Sequence, residues 1–340
     1  MSSLRQSVLS KGLPPPGAGH KKLPPGKDLS LLEWTDFFDS QKTVTVGEDH
    51  FNVYLKGSSG PIFYFLHGGG YSGLTWAVLA EELSSRIDCR ILSPDLRGHG
   101  SSQCREDYDL SKERQVSDIG AIFREVYGTE ETNSDCGSDN VVVVGHSMGG
   151  ALAAHSVAAK VIPNVVGLVI IDVVEGSAMD ALSGMITFLR GRPQSFESEE
   201  AAIKWCLQSG TSKSSRSARI SMPSQIVRTD SGRYNWRIDL TKTSEYWPGW
   251  FQGLSTTFLS CPPPKLLVLA GVDRLDKDLT IAQMQGKFQT TVLPRVGHAV
   301  HEDSPAQLAD ELARFTARYK FAQIKGDIAG RPTLRLGQMI

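Results

Sequence analysis

Five short apolar runs, separated by helical stretches, dominate the hydrophobic pattern between residues 62 and 270. The runs are Ile62–Leu66, Cys89–Leu92, Val141–Val144, Gly167–Ile171 and Leu266–Ala270. Continuous apolar runs of this length are typical of strands that are buried on both faces. One helix is predicted from Ser111 to Tyr127, because apolar residues recur there at spacings of three and four: Val116, Ile119, Phe123 and Val126. The pattern predicts an α/β fold, a mostly parallel sheet with helices on both faces.

Two other patterns precede the first buried run. Thr43–Val46 and Phe51–Leu55 alternate apolar and polar residues around a Gly-Glu-Asp turn, which predicts a β-hairpin. Residues 1–30 are rich in Pro, Gly, Ser and Lys, so they cannot bury enough apolar surface to fold alone. We expect a disordered arm there, with order beginning near Trp34. The alternative is that its prolines form a polyproline ligand for an SH3-like partner.

The strand pattern is interrupted between Val174 and Ser260. This segment is helical in character and rich in aromatic residues. Its place between two predicted strands would set it over the carboxyl ends of the sheet, where the sites of α/β proteins lie. We therefore predict one catalytic domain over residues 31–325, with a cap inserted at about 174–260 and a tail at 326–340. Trp205, Trp247 and Trp250 either line a groove in this cap or pack in its core.

Composition narrows the class of protein. The 340 residues are 40% hydrophobic and 21% charged with a formal net charge of −1, which gives no indication of a nucleic-acid partner. No window is apolar enough to span a membrane and no secretory leader is visible, so we expect no membrane association and a cytoplasmic location, with the nucleus as a second compartment. Five widely spaced cysteines without a C-x-x-C pair indicate neither disulfides nor a metal site. We expect no cofactor.

The strongest chemical motif follows the tetravaline run. Gly145-His146-Ser147-Met148-Gly149 lies between that predicted strand and an Ala-rich predicted helix. Strand, tight turn and helix in this order form the nucleophile elbow of α/β-hydrolases, which exposes the Oγ of a strained serine. Gly145 and Gly149 would let strand and helix pass closely enough for Ser147 to adopt a positive φ. The motif predicts an α/β-hydrolase fold with Ser147 as the nucleophile.

An oxyanion hole is predicted beside this elbow. The first buried run ends in His67-Gly68-Gly69-Gly70, a loop whose bare backbone can turn an N–H towards a developing negative charge. Gly69 or Gly70 would supply one donor. The amide of Met148, which follows the nucleophile at the positive end of a helix, would supply the other.

The catalytic base should lie late in the chain, and His298 is the candidate because Gly297 precedes it after a strand-like segment. His301 is the competitor, and we expect it to be structural. A metal site built on His298 and His301 lacks further clustered ligands.

Two acids could orient the base, because Asp172 and Asp273 each follow a predicted strand. Chain order fits both, and Asp273 holds the position that most hydrolases of this fold use.

Four longer stretches resemble the protein phosphatase methylesterase family, with a likeness that spans about residues 34–321. They are residues 171–176 (IDVVEG), 188–193 (FLRGRP), 270–280 (AGVDRLDKDLT) and 297–303 (GHAVHED). The resemblance implies that Asp172 is the triad acid, with Asp273 as the alternative. It also implies the substrate, the methyl ester on the C-terminal leucine of the protein phosphatase 2A catalytic subunit. Some family members carry a long acidic insertion in the cap, whereas residues 226–234 are short here.

Two other functions stay open at this point. A small-molecule carboxylesterase of the same fold would close its cap over an acyl chain. A non-catalytic protein could instead use a hydrolase fold to sequester a phosphatase. The complete set of triad candidates argues against the second alternative.

Overall fold

The computed structural model of the protein describes residues 26, 28–128, 139–271 and 275–325. Its strands are β1 (Ser40–Val46), β2 (Asp49–Lys56), β3 (Ile62–Leu66), β4 (Arg90–Pro94), β5 (Val141–His146), β6 (Val165–Ile171), β7 (Ser195–Phe196), β8 (Ile226–Arg228), β9 (Tyr234–Trp236), β10 (Lys265–Leu269) and β11 (Gln289–Val292). Its α-helices are α1 (Ala77–Ser84), α2 (Lys112–Tyr127), α3 (Met148–Ala158), α4 (Glu175–Arg190), α5 (Glu199–Ser209), α6 (Ser215–Ser221), α7 (Trp247–Phe251), α8 (Leu254–Ser260), α9 (Lys277–Met284), α10 (Val300–Asp303) and α11 (Pro305–Arg318).

Eight strands form one mostly parallel sheet in the order β1-β2-β4-β3-β5-β6-β10-β11. The predicted hairpin is present, with β1 antiparallel to β2 and Ser40 opposite Leu55. From β4 onwards neighbouring strands are parallel, and helices cover the sheet. The predicted α/β-hydrolase architecture is confirmed.

The tetravaline strand explains why the sheet is buried on both faces. Alternate residues of a strand point to opposite faces, so β5 divides its valines between two hydrophobic clusters. Val141 and Val143 pack with residues of α2 and α3, whereas Val142 and Val144 pack with residues of α1 and α11. Every residue of β5 is buried. A strand with this environment has no polar face, which is why it appears in the sequence as an unbroken apolar run.

Helix α2 begins one residue after the predicted start, and Ser111 occupies its N-cap position. Ile119 and Phe123 of the predicted stripe are fully buried, and the other two, Val116 and Val126, are partly buried against the same cluster. The hydroxyl of Tyr64 in β3 donates to the carbonyl of Ile119 at 2.9 Å, which ties the helix to the sheet.

The segment between β6 and β10 contains α4 to α8 and a second sheet in the order β7-β9-β8, which we call the cap from here on. Its three antiparallel strands were not predicted, because runs of two or three residues are too short to display alternation. The cap has a small hydrophobic cluster of its own, which includes Phe196, Ile203 and Met222.

Residues 28–32 contact the cap. They precede Trp34, near which we expected the ordered part of the chain to begin. The carboxylate of Asp28 lies 2.9 Å from the guanidinium of Arg219, and Leu29 and Leu31 pack against the cap cluster. Most of the predicted arm (residues 1–25 and 27) and the predicted tail (326–340) lie outside the described residues. No helix in the described part of the chain is long and apolar enough to cross a membrane.

Candidate active site

Ser147 lies in a strained turn between β5 and α3. Its backbone has φ 53° and ψ −120°, values that residues other than glycine rarely adopt. Its N–H donates to the carbonyl of Ile171 at the end of β6, and its own carbonyl accepts from Gly150 in the first turn of α3. The turn is therefore held from both sides.

The glycines of the elbow are required by close backbone contacts, as predicted. A Cβ at Gly145 would lie 2.1 Å from the carbonyl oxygen of Gly149, and one at Gly149 would lie 2.2 Å from that of Leu66. Both distances are far inside van der Waals contact, and the atoms met are backbone atoms that cannot move aside. Only glycine at both positions lets α3 start this close to the sheet.

Asp172 and His298 are joined by a hydrogen bond. Nδ1 of His298 lies 2.8 Å from Oδ2 of Asp172, while Oδ1 accepts from the N–H of Ala270 at 2.9 Å. Asp172 follows β6, has φ 51° and is buried, whereas the His298 side chain is 28% exposed. The contact favours Asp172 as the carboxylate that orients His298. Asp273, the alternative acid, lies outside the described residues.

The nucleophile and the base are not hydrogen-bonded to each other in this structure. Among the described residues, no hydrogen bond joins the Ser147 hydroxyl to His298, although both follow strands of the same sheet. The hydrogen bond between Asp172 and His298 is thus formed, and the one between His298 and Ser147 is not. Catalytic hydrogen bonds are commonly long or misaligned until substrate is bound, and the predicted roles agree with this geometry.

The two glycines predicted as oxyanion donors differ in the state of their N–H groups. That of Gly70 donates to Nε2 of His99 at 2.9 Å and is therefore already in use. The N–H groups of Gly69 and Met148 make no hydrogen bond with any other described residue, and Gly69 lies close to the Met148 side chain. Gly69 and Met148 are thus the better pair of donors.

Gly68 belongs to the same loop, and no role was predicted for it. A Cβ at this position would lie 2.8 Å from Nδ1 of His146 and 3.3 Å from Cβ of Ser147. The loop therefore passes directly against the nucleophile. The run of three glycines was the available indication, but a sequence pattern does not tell which of them is sterically required.

Two buried histidines lie behind the site. Nε2 of His146 bonds to the carbonyl of His298 at 2.9 Å, and Nε2 of His301 bonds to Oγ1 of Thr75 at 2.8 Å. Burial lowers the pKa of both imidazoles well below the usual range, so both are neutral at physiological pH. His301 is fully buried and packs on Trp76, a placement that agrees with the expected structural role.

Two acids in the longer sequence motifs meet at α8. The carboxylate of Glu175 accepts from the N–H groups of Gly253 and Ser255 at 2.8 and 3.0 Å, and Oδ2 of Asp276 accepts from the Ser255 hydroxyl at 2.5 Å. Glu175 stands three residues after Asp172. These contacts give the IDVVEG and LDKD stretches a structural function, because they fix the start of α8 beside the turn that carries Asp172.

The tryptophans of the cap pack rather than line a groove. Trp247 and Trp250 are 3% and 4% exposed, and Trp250 donates its indole N–H to the carbonyl of Leu110 at 2.7 Å. Trp205 is partly buried and lies 5.5 Å, ring to ring, from Trp236 inside the cap cluster. Of the two alternatives, core packing is the one that the structure supports.

Comparison with known proteins shows the family. The alpha/beta hydrolase family matches residues 63–311, a range that contains the elbow, the glycine loop, Asp172 and His298. A protein of Caenorhabditis elegans named "Probable protein phosphatase methylesterase 1" is 56% identical over 330 residues, which cover 97% of this chain and 88% of the relative. The mouse "Protein phosphatase methylesterase 1" is 43% identical over 381 aligned positions, covering 95% of this chain and 97% of the relative.

The chain belongs to the protein phosphatase methylesterase 1 family. It is an ester hydrolase of the α/β-hydrolase class, as its motifs predicted. Among solved structures, E-2-(acetamidomethylene)succinate hydrolase superposes with a TM-score of 0.66 at 22% identity, covering 82% of this chain and 99% of that chain. That likeness concerns the fold alone.

Proposed function

We propose that the protein removes the methyl ester from the C-terminal leucine of the protein phosphatase 2A catalytic subunit. The observation that carries the proposal is the bond between His298 and Asp172 at the carboxyl edge of the sheet, next to the strained elbow of Ser147. Family membership supports the substrate, since the relatives are named as protein phosphatase methylesterases. The partner would be the catalytic subunit and its methylated tail.

In the proposed reaction, Oγ of Ser147 attacks the ester carbonyl while Nε2 of His298 accepts the hydroxyl proton. The negative charge on the former carbonyl oxygen is stabilised by the N–H groups of Gly69 and Met148. The bond between the carbonyl carbon and the methoxy oxygen then breaks, and His298 gives the proton to the leaving group, which departs as methanol. Asp172 holds His298 through Nδ1 and stabilises the imidazolium that forms in between.

Water completes the cycle by the same path. His298 removes a proton from water, the hydroxide attacks the acyl-serine, and the bond to Ser147 Oγ breaks as the serine regains its proton. The product is a free C-terminal carboxylate, so each turnover restores one negative charge to the tail. No cofactor or metal ion takes part in this proposal.

The proposal is tested by offering the enzyme the methylated tail alone and the assembled phosphatase. We expect methanol release that disappears in Ser147→Ala. If the intact phosphatase keeps its methyl ester while small esters are cleaved, the protein is a small-molecule carboxylesterase and the substrate assignment is wrong. If Ser147→Ala turns over ester undiminished, the catalytic assignment fails. Phosphatase binding that survives in this variant would add a binding role to the catalytic one.

We also propose that the protein works in the cytoplasm, with the nucleus as a second compartment. Imaging of the tagged full chain checks this, and confinement to another compartment would contradict it.

A further inference from the structure

Asp303 closes the loop that carries His298. After β11 the chain runs through residues 293–299 into α10, and the N–H of Gly297 donates to Oδ2 of Asp303 at 2.5 Å. This bond spans His298, because Gly297 precedes the histidine and Asp303 follows it by five residues. It therefore limits how far the backbone at His298 can shift relative to α10.

The other oxygen of the same carboxylate is bonded to the cap. Oδ1 of Asp303 accepts from the N–H of Lys213, in the turn between α5 and α6, at 2.7 Å. One side chain thus joins the histidine loop and the cap, with one oxygen for each. An ionised carboxylate accepts such bonds more strongly than a neutral group does.

Two more hydrogen bonds join the cap to the histidine loop (residues 293–299) and α10, a contact that we call the seam. Nζ of Lys213 donates to the carbonyl of Arg295 at 2.9 Å, and the hydroxyl of Ser217 donates to the carbonyl of Glu302 at 2.8 Å. Arg295 has φ 65°, an unfavourable value for a residue with a side chain.

The seam also includes a close contact at Gly297. A Cβ at Gly297 would lie 3.1 Å from Oδ2 of Asp303 and 3.8 Å from Cε of Lys213. The histidine loop therefore lies in direct contact with the cap turn at residues 210–213.

We propose that Asp303 is a positioning residue for His298 and that, through Lys213, it makes the cap turn part of the support of the catalytic base. This inference rests on the proposed role of His298. Asp303 touches neither substrate nor the reacting atoms; it acts by fixing the backbone on both sides of the histidine. Misplacement of a catalytic group by about 1 Å costs roughly 100-fold in rate, so support of this kind affects turnover directly.

The test is Asp303→Asn in the full chain, assayed on a chromogenic ester and on the methylated phosphatase. The amide keeps the shape but has only one acceptor oxygen, so one of the two bonds is lost. We expect kcat to fall ~10- to 100-fold on both substrates with KM within about twofold, because His298 is misplaced and the substrate contacts are not. Asp303→Glu keeps both acceptors and should recover part of kcat, which a purely structural defect would not show.

Asp230→Asn is the matched control, because Asp230 is exposed in the β8–β9 turn of the same cap and makes no hydrogen bond or ion pair with a described residue. It should behave as wild type. If Asp303→Asn does not fold, Lys213→Pro replaces it; that change removes the N–H that donates to Asp303 as well as the ammonium bond to Arg295, and it should lower kcat by roughly 3- to 10-fold.

The outcomes separate this inference from the proposed function. A folded Asp303→Asn with wild-type kcat, beside an inactive His298→Ala, overturns the positioning role and leaves the function standing. Wild-type kcat in Lys213→Pro, where that variant is the one measured, likewise overturns the support of His298 by the cap turn and leaves the function standing. Full activity in His298→Ala would instead remove the proposed function itself.

Discussion

Nδ1 of His298 lies 2.8 Å from Oδ2 of Asp172, and the second oxygen of that carboxylate is bonded to the N–H of Ala270. Both oxygens are thus committed, one to orienting the imidazole and one to fixing the carboxylate. Asp172→Asn would disturb the tautomer that His298 needs, so we predict a fall in kcat on the order of 10⁴-fold with little change in KM. Steady-state kinetics on a chromogenic ester measure this.

Asp180→Asn is the control for that experiment, because the Asp180 side chain is exposed on α4 and has no hydrogen-bond partner among the described residues. Should Asp172→Asn keep most of its activity while Asp273→Asn loses it, the triad acid is Asp273.

The glycine loop gives a prediction that separates neighbouring positions. A Cβ at Gly68 would collide with His146 at 2.8 Å, whereas one at Gly69 would meet only ordinary contacts, 3.6 Å from Leu240 and 3.8 Å from Met148. We expect Gly68→Ala to lower kcat by ~100-fold or more and Gly69→Ala to change it less than about threefold, because only the first displaces the elbow. Kinetics on folded protein, verified by circular dichroism, decide the point. Equal losses in both variants would show that the loop geometry is different.

Glu302 makes stability depend on pH. It is 1% exposed, and burial raises the pKa of its carboxyl from 4.5 to about 7. Hydrogen bonds from Ser221, Thr75 and Ser212 lower this pKa, but the effect of burial is larger. Because the folded protein binds this proton more tightly than the unfolded chain does, the stabilisation is fully present below pH 4.5 and is lost as the pH rises through about 7.

Glu302→Gln removes this titration. Between pH 5 and pH 8 the free energy of unfolding should therefore fall by about 2 to 3 kcal/mol less in the variant than in the wild type. Urea unfolding at the two pH values checks it, with exposed Glu245→Gln as the control. Parallel pH dependence in wild type and Glu302→Gln would contradict the prediction.

Residues 28–32 should stabilise the cap although they precede the sheet. Arg219 is bonded to Asp28 and Ser30, and Leu29 and Leu31 pack on the cap cluster. A chain that begins at Asp28 should unfold like the full chain, whereas one that begins at Glu33 should be less stable by about 1 to 3 kcal/mol, since apolar surface is exposed. Thermal unfolding of the two truncations tests this. A loss that appears already in the longer truncation would place stabilising contacts in residues 1–27.

The sequence predicted the sheet and the elbow because each has a local cause. The unbroken valines of β5 follow from burial on both faces, and the glycines at 145 and 149 follow from contacts with backbone a few residues away or on the adjoining strand. Pattern and structure are linked here over short distances along the chain. The short strands of the cap were missed because they are held by their neighbours and not by alternation of their own.

Long-range pairing explains what the sequence left open. Asp172 and Asp273 both follow predicted strands and both fit the chain order; strand position favoured Asp273, and only the family resemblance favoured Asp172. The fold brings Asp172 to His298, 126 residues away. The difference between Gly69 and Gly70 likewise depends on His99, 29 residues further on, which takes the N–H of Gly70. Neither fact has a local signature in the sequence.

Ser147 is proposed to hydrolyse the methyl ester at the end of the phosphatase tail. The most direct measurement of this activity is the mass of the C-terminal peptide of methylated protein phosphatase 2A catalytic subunit after incubation with the wild type and with Ser147→Ala. We predict complete loss of the methyl group with the wild type and none with Ser147→Ala. A tail that stays methylated in the presence of wild-type enzyme still able to cleave a chromogenic ester would contradict it.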